Sequence, residues 1–411
     1  MDKVNYDVLV IGGGIAGVAA ALETARSGLR TALVEKTILW GGLATSGLVP
    51  IYMPLCDGAG TQVTFGIAEE LLRCSTKFGP GHISAGWQDV KRQEPDRRLP
   101  ALYPEGNLDR RLAVIFHPTS FVWALDELLE ESAVEVWLDT LACTPIMQGD
   151  TVFGVEVENK SGRSVVTASC VVDASGDADI AFRAGAPCAE HGSYPSYLYQ
   201  YTSLALARQA ASTHSAKSLL MYRTAGTTEF EQGIQPGWRR YRATDGQDVT
   251  AFVMASRKVA RQELASQQAA DSDTSRENLY PAVFPSMAQF RMSRRIVGQE
   301  TVRAEDRNRH CANAIGLAAD CRTTRAVWEV PYGALVPQQV AGLLVAGRCV
   351  SAEGYAWHIT RLIPAVALTG QVAGIAATLA VRNKTSPHLL DVRDVQQAAR
   401  DKGFPLHLDD L

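Results

Sequence analysis

Residues 6–35 follow a pattern of apolar run, small-residue segment and second apolar run. Residues 8–11 have the length and composition of a buried strand, and residues 15–27 have the periodicity of a helix. A second apolar run at 31–34 ends at Glu35. The pattern predicts two buried parallel strands joined by a helix, which is the start of an α/β domain.

Glycines mark the turn between the first strand and the helix. Gly12, Gly14 and Gly17 have GxGxxG spacing. The first glycine makes the turn, the second leaves room for a pyrophosphate, and the third lets the helix lie close to the sheet. The free N–H groups and positive end of the helix favour phosphate. We therefore predict that Ile15 and Ala16 also lie against a dinucleotide.

The segment after the second strand indicates which dinucleotide is bound. Glu35, followed by Lys36, is placed to accept hydrogen bonds from a ribose diol, and an acid there disfavours the 2′-phosphate of NADP. Gly41 and Gly42 allow a loop to run along an extended cofactor, which an NAD dehydrogenase does not need. FAD is therefore the expected cofactor. The loop residues included in this predicted site are Leu43, Ala44 and Thr45.

A second apolar segment lies near the other end of the chain. Residues 362–381 carry no charge and are long enough to cross a bilayer. They are mostly Ala, Gly, Thr and Val, with Pro364 and a Gln inside, which favours a helix buried in a protein core. Pro364 suits the first turn of such a helix, where a missing N–H is tolerated.

The composition of the chain indicates which binding partners and which cellular compartment to expect. The chain of 411 residues has a formal net charge of -4, so we expect neither nucleic-acid nor membrane binding. Its 8 cysteines are scattered, which indicates reduced thiols in a cytoplasmic protein. The glycine-broken apolar start lacks a cationic leader and does not resemble a signal peptide. No His, Cys and carboxylate set has metal-ligand spacing, so no metal is expected.

Four further segments of the chain carry recognisable sequence motifs. They are VVDASGDADIAFRAGA at 171–186, FRMSRRIVG at 290–298, GLLVAGRCVSAEG at 342–354 and RLIPAVALTGQVAGIAA at 361–377. With the amino-terminal motif, they resemble the bacterial FAD-dependent oxidoreductase family, which is related to fumarate reductase and glutathione reductase. The resemblance implies an α/β fold: a Rossmann-like, three-layer FAD-binding domain plus a smaller α+β substrate or cap domain.

The resemblance also implies domain boundaries. The FAD-binding domain is discontinuous, with pieces at 1–75, 115–190 and 327–395. Residues 191–326 form the cap domain, expected to hold antiparallel strands and helices. Residues 76–114 are a loop-rich lid or interface excursion, and 396–411 are a carboxy-terminal tail.

Cofactor contacts follow from the same resemblance. Leu141 would present its backbone to the adenine, and the last helix would point its positive end at the N1–C2=O edge of the isoalloxazine. The other residues implied to contact FAD are Ala174, Ser175, Gly176, Asp177, Arg294, Gly347, Arg348, Ala365 and Gly370.

Candidate catalytic residues precede the last helix or lie in the basic segment. His358 is a candidate base, and Arg361 a candidate contact to flavin or an anionic substrate. Arg295 is a further candidate, since with Arg294 it forms either an anion clamp or a solvated face. The chain has one dinucleotide fingerprint and no CxxC, which argues against a disulfide reductase. Electrons would then pass directly between substrate and flavin.

Several reactions remain open at this point. The first is hydride exchange between a small polar substrate and flavin N5, as in a dehydrogenase or oxidase that uses O2 or a carrier. The second is reduction or desaturation of a C=C bond with an arginine proton donor, and the third is a flavin monooxygenase. A non-enzymatic FAD-binding protein is the fourth. A homodimer is the default expectation for assembly.

Overall fold

The computed structural model describes residues 3–80, 111–228 and 231–411. The chain divides into two compact units. Unit 1 comprises Met1–Gly42, Ile51–Ala189 and Arg295–Leu411, and unit 2 comprises Leu43–Pro50 and Glu190–Arg294.

The described residues form short and long strands in both units. The strands are β1 (Lys3–Ile11), β2 (Thr31–Val34), β3 (Ile51–Tyr52), β4 (Val114–Ile115), β5 (Glu135–Trp137), β6 (Leu141–Gln148), β7 (Thr151–Asn159), β8 (Gly162–Asp173), β9 (Cys188–Glu190), β10 (Gly192–Ser193), β11 (Ser196–Ser203), β12 (Met221–Gly226), β13 (Tyr241–Arg242), β14 (Leu279–Val283), β15 (Arg294–Ile296), β16 (Ala314–Ala319), β17 (Val327–Pro331) and β18 (Leu343–Val345). The helices are α1 (Ile15–Arg26), α2 (Ile67–Cys74), α3 (Pro118–Glu131), α4 (Asp179–Arg183), α5 (Leu204–Thr213), α6 (Gly246–Ala270), α7 (Tyr355–Thr360), α8 (Ile363–Arg382) and α9 (Val392–Asp401).

Unit 1 is built on a 7-stranded sheet with the order β5-β2-β1-β8-β7-β6, and β18 also pairs with β8. Strands β5, β2, β1, β8 and β18 run parallel, whereas β7 and β6 add an antiparallel extension. In this register Ile11 lies beside both Val34 and Asp173, and Asp173 lies beside Val345. The carboxyl ends of four strands therefore meet at one edge, where α/β proteins bind ligands.

Helix α8 packs closely on α1. A Cβ built on Gly370 would lie 2.2 Å from the carbonyl oxygen of Ala16, and one on Gly374 would lie 2.9 Å from that of Ala20. Only glycine allows this approach of the two backbones. Pro364 lies in the first turn of α8, as predicted.

The buried character of α8 is also confirmed. Among the described residues, α8 is the one helix long and apolar enough to cross a membrane, and 83% of its most apolar window is buried inside the protein.

Unit 2 contains a three-stranded antiparallel sheet with the order β12-β11-β14. Two tyrosines of β11, Tyr197 and Tyr199, form a buried cluster with Ala225 and with Ala260 of α6. The expected combination of antiparallel strands and helices is therefore present. The fold class, a Rossmann-like α/β domain with a smaller α+β domain, is confirmed.

The predicted domain boundaries need three corrections. Residues 295–326, predicted to be part of the cap domain, belong to unit 1, where β16 is buried and pairs with β17. The segment Leu43–Pro50 belongs to unit 2. The predicted tail boundary at 395/396 falls inside α9. Most of the predicted lid at 76–114, namely 81–110, lies outside the described residues.

We expect Gly370→Ala to destabilise the protein by about 1–3 kcal/mol, because the added methyl group overpacks the contact between α1 and α8. Urea unfolding followed by circular dichroism measures this change. Gly246→Ala at the start of α6 is the matched control, since no heavy atom lies within 4 Å of its built Cβ. Equal unfolding midpoints for the two variants would contradict the packing argument.

Candidate cofactor and active site

The glycine turn after β1 has the shape of a phosphate cradle. Gly12 has φ +98°, and its built Cβ would lie 2.6 Å from the carbonyl oxygen of Ala174. A Cβ on Gly17 would lie 1.8 Å from the carbonyl oxygen of Gly12. Both glycines are thus required by packing. In contrast, a Cβ on Gly14 would meet nothing within 4 Å, so this face of the turn is open space into which a pyrophosphate fits.

The loop after β2 runs along this turn, as the sequence predicts. The Gly41 N–H donates to the Gly13 carbonyl at 2.8 Å, and Gly41 forms a parallel bridge with Gly14. A Cβ on Gly42, where φ is +56°, would lie 3.2 Å from the Gly14 Cα. The two glycine segments therefore form one continuous backbone surface beside the start of α1.

Glu35 is buried and held by the turn. Its Oε2 accepts from the Gly13 N–H at 2.7 Å, and its Oε1 accepts from the N–H and hydroxyl of Thr37, both at 2.8 Å. A carboxylate offers about four lone-pair positions, so the side chain can still accept from a ribose hydroxyl. Lys36 beside it is exposed.

The start of β6 lies next to this position. The Thr140 N–H donates to the Glu35 carbonyl at 3.0 Å, and the following residue, Leu141, is half exposed. This arrangement is compatible with the adenine contact predicted for Leu141.

Asp173 positions the turn that carries predicted cofactor residues, and it lies in the 171–186 motif although it was not itself among the predicted contacts. It is fully buried at the end of β8 and accepts hydrogen bonds from the N–H groups of Ser175, Ile180 and Ala181 at 2.9–3.0 Å. Burial raises the pKa of this carboxyl. Asp173 fixes the turn that carries Ala174, Ser175, Gly176 and Asp177.

That turn is joined to the segment after β18. Arg348 donates to Asp177 at 2.7 Å, and a Cβ on Gly176 would lie 3.0 Å from the Arg348 guanidinium. Gly347, with φ +84°, donates its N–H to the Thr369 hydroxyl of α8 at 3.1 Å. A Cβ on Gly347 would lie 2.9 Å from that of Ala16. Predicted cofactor residues from three distant segments are thus brought together.

Two predicted cofactor residues of α8 have different surroundings. Ala365 is buried in the first turn, close to the positive end of the helix. Gly370 instead faces the Ala16 backbone, which gives it a packing role. Contact of either residue with FAD stays a prediction.

His358 lies in α7, and Arg361 caps the end of that helix. The His358 Nδ1 is 3.2 Å from an Arg361 Nη atom. A guanidinium only donates hydrogen bonds, so Nδ1 is the acceptor in this pair. The sequence assigned His358 the role of base, but here this nitrogen's lone pair is engaged by Arg361. Nearby, the Tyr355 hydroxyl donates to Asp320 at 3.0 Å, and burial raises the tyrosine's pKa.

Arg295 has a structural partner. It donates to Glu353 at 3.1 Å, and Arg303 donates to the other oxygen of the same carboxylate at 3.0 Å. Its guanidinium also lies 5.8 Å from the centre of the Trp357 ring, and burial lowers its pKa. These contacts give Arg295 a structural role that requires no part in catalysis. Its catalytic role stays a prediction.

The remaining predicted contacts belong to unit 2. Arg294 is buried and lies 4.0 Å from Glu190. Leu43 and Ala44 are part of a short 3-10 helix, and Thr45 is buried after it. Contact of these residues with FAD stays a prediction.

Comparison with known proteins identifies the family. The family described as FAD dependent oxidoreductase matches residues 7–199 and 193–398, which together cover most of the chain. The chain belongs to this family. The protein is therefore an FAD-dependent oxidoreductase, and the open face at Gly14 beside the glycine loop fits the cofactor's pyrophosphate.

Curated relatives match part of the chain. A digeranylgeranylglycerophospholipid reductase of Picrophilus torridus is 28% identical over 42% of this chain and 40% of its own. One of Methanoculleus marisnigri is 30% identical over 44% and 42%. The matches thus span about two fifths of these relatives.

A geranylgeranyl bacteriochlorophyll reductase-like structure from Thermoplasma acidophilum is 12% identical. It covers 98% of this chain and 83% of its own, with a TM-score of 0.43, which is too low to support an argument about function.

We expect Gly14→Val to weaken FAD binding by at least about tenfold, which corresponds to 1.4 kcal/mol, because its side chain fills the pyrophosphate space. Gly14 has φ −67° and ψ 177°, which valine adopts readily, so the apoprotein's melting temperature should not change. Titration of the apoprotein with FAD measures the affinity. Gly246→Ala serves as control, and an unchanged affinity in Gly14→Val would contradict the proposed position of the pyrophosphate.

Proposed function

We propose that this enzyme reduces a polarised C=C bond in a small molecule that carries a carboxylate or carbonyl group. The pair formed by His358 and Arg361 carries the proposal, because it fixes a permanent cation immediately before α8. FAD, when bound, supplies hydride transfer to or from a substrate carbon. The other tasks, which are orientation of the substrate and stabilisation of developing charge, fall to side chains.

Arg361 suits those tasks. A guanidinium is permanently charged, and its planar set of donors binds a carboxylate through two hydrogen bonds. When hydride adds to one carbon of a polarised double bond, negative charge develops towards the carboxylate or carbonyl oxygen. A fixed cation stabilises that charge, and solvent water supplies the proton that completes the reduction.

His358 acts in this proposal as a positioning residue. Its Nδ1 accepts from Arg361 at 3.2 Å and so restricts the orientation of the guanidinium. The start of α8 adds the partial positive charge of its free N–H groups to the same region of unit 1. The local field therefore favours an anionic group.

Oxidation of an alcohol or amine is less well supported. That reaction requires a side chain that takes a proton from the substrate, and the predicted base, His358, has its Nδ1 lone pair engaged by Arg361. Two curated relatives of the chain are named as reductases, which agrees with the reductive direction. In the reductive direction an electron carrier must reduce the flavin before each turnover. O2 or a carrier as the electron acceptor of the oxidative alternative, a homodimer and a cytoplasmic location stay predictions.

The direction of the reaction is tested anaerobically with the FAD-loaded enzyme. We expect α,β-unsaturated carboxylates or ketones to return the reduced flavin to its oxidised absorption spectrum, with formation of the saturated product. Alcohols and amines should leave the oxidised flavin unchanged. Reduction of the flavin by an alcohol or amine, without reoxidation by any unsaturated acid or ketone, would favour the dehydrogenase alternative.

We expect Arg361→Gln to slow this reoxidation by about 100-fold or more, because a preorganised cation is lost from the developing charge. Arg361→Lys should retain part of the rate, since the charge remains while the planar donor set is lost. The control is Arg393→Gln, which removes an exposed arginine paired with Asp391. Equal rates for Arg361→Gln and this control would exclude Arg361 from the reaction.

A further inference from the structure

Three side chains from distant parts of the sequence converge in unit 1, outside the predicted cofactor residues. They are His310, Glu329 of β17 and His407 near the carboxyl terminus. One ligand atom from each residue lies within 4.8 Å of the others. Residues 310, 329 and 407 do not have metal-motif spacing, so the sequence alone predicts no metal.

The distances from Glu329 to the two histidines are close to those expected for ligands of a shared ion. The His407 Nδ1 lies 2.9 Å from the Glu329 Oε2, and the His310 Nδ1 lies 3.8 Å from the same oxygen. The two imidazole rings are 4.5 Å apart between centres. Zinc holds nitrogen and oxygen ligands at about 2.0–2.2 Å, which places neighbouring ligand atoms roughly 3–3.5 Å apart. The three ligand atoms lie up to 4.8 Å apart, so the exposed His310 side chain must move inward by about 1 Å to complete this arrangement.

We propose that His310, Glu329 and His407 bind a divalent cation of the zinc class. Two imidazoles and one carboxylate are ligands that Zn²⁺ commonly uses, with water at the remaining position. Harder cations such as Mg²⁺ prefer sites made of oxygen alone, so they are disfavoured.

Glu329 is prepared for this role by its backbone contacts. Its side chain is only 2% exposed, and its two oxygens accept from the N–H groups of Leu408 and Cys311 at 2.9 and 2.7 Å. These bonds fix the carboxylate, as outer-shell donors do in metal sites. A buried carboxylate also needs a positive partner, which the ion supplies.

The two histidines let an ion enter the site from solvent and replace a bound proton. The His310 side chain is 65% exposed, so an ion reaches the site from solvent. The contact between His407 Nδ1 and Glu329 is a hydrogen bond with the proton between them, and the ion replaces that proton. The bound ion connects the carboxy-terminal segment to β17 and to the residues around His310.

The test uses the full-length FAD-loaded protein without a polyhistidine tag. Isothermal titration with Zn²⁺ should give one site in the native protein. His310→Ala, which removes an exposed side chain, should weaken that site by more than about tenfold, as should His407→Ala. Co²⁺ in place of Zn²⁺ should give visible absorption bands that both variants lose.

The control is His214→Asn, which removes an exposed histidine in unit 2 at a left-handed position that asparagine tolerates. It should bind Zn²⁺ as the native protein does. The absorption spectrum of the bound flavin verifies that each variant is folded. The proposal is overturned if the native protein binds no Zn²⁺, or if His310→Ala and His407→Ala bind it as tightly as the control.

Discussion

The backbone contact between α1 and α8 is the constraint on which the cofactor site depends. α1 begins at the glycine turn, and α8 begins directly after the His358 and Arg361 pair. Because Gly370 lies against the Ala16 backbone, the two helix starts are held at the same edge of the sheet. Gly347 adds a third element through its bond to α8. A shift of α8 would therefore move the phosphate cradle relative to the proposed catalytic side chains.

A buried polar network keeps this contact in register. Gln371 of α8 donates to Glu23 of α1 at 2.9 Å and accepts from the Ile67 N–H at 2.7 Å. Lys402 lies 2.8 Å from the other Glu23 oxygen and neutralises a carboxylate that is almost fully buried. Breaking a buried pair of this kind leaves an uncompensated charge, which opposes any sliding of α8 along α1. The one glutamine in an otherwise apolar stretch thus has a positional role.

Local sequence predicted the parts of the structure that depend on local geometry. The bounds of β2 and the start of α1 were correct, and so were the turn at Gly12 and the close approach at Gly17, because strand length, helical period and glycine spacing are short-range properties. The assignment of 295–326 was wrong because β16 is held by distant residues, including Thr64 and Gln396. The His310, Glu329 and His407 cluster was missed for the same reason, since only the fold brings them together.

The position of Arg361 conflicts with local electrostatics. It caps the end of α7 and is separated from the first residue of α8 by Leu362 alone, so a permanent cation lies close to the partial positive charge of a helix start. A protein selected only for stability would favour an acidic or capping residue there. Such a local conflict is typical of functional sites, where its cost is offset when an anion binds. His358 cannot neutralise the charge, because it contributes an acceptor nitrogen and no negative charge. The arrangement therefore favours a substrate that brings, or develops, negative charge at this point.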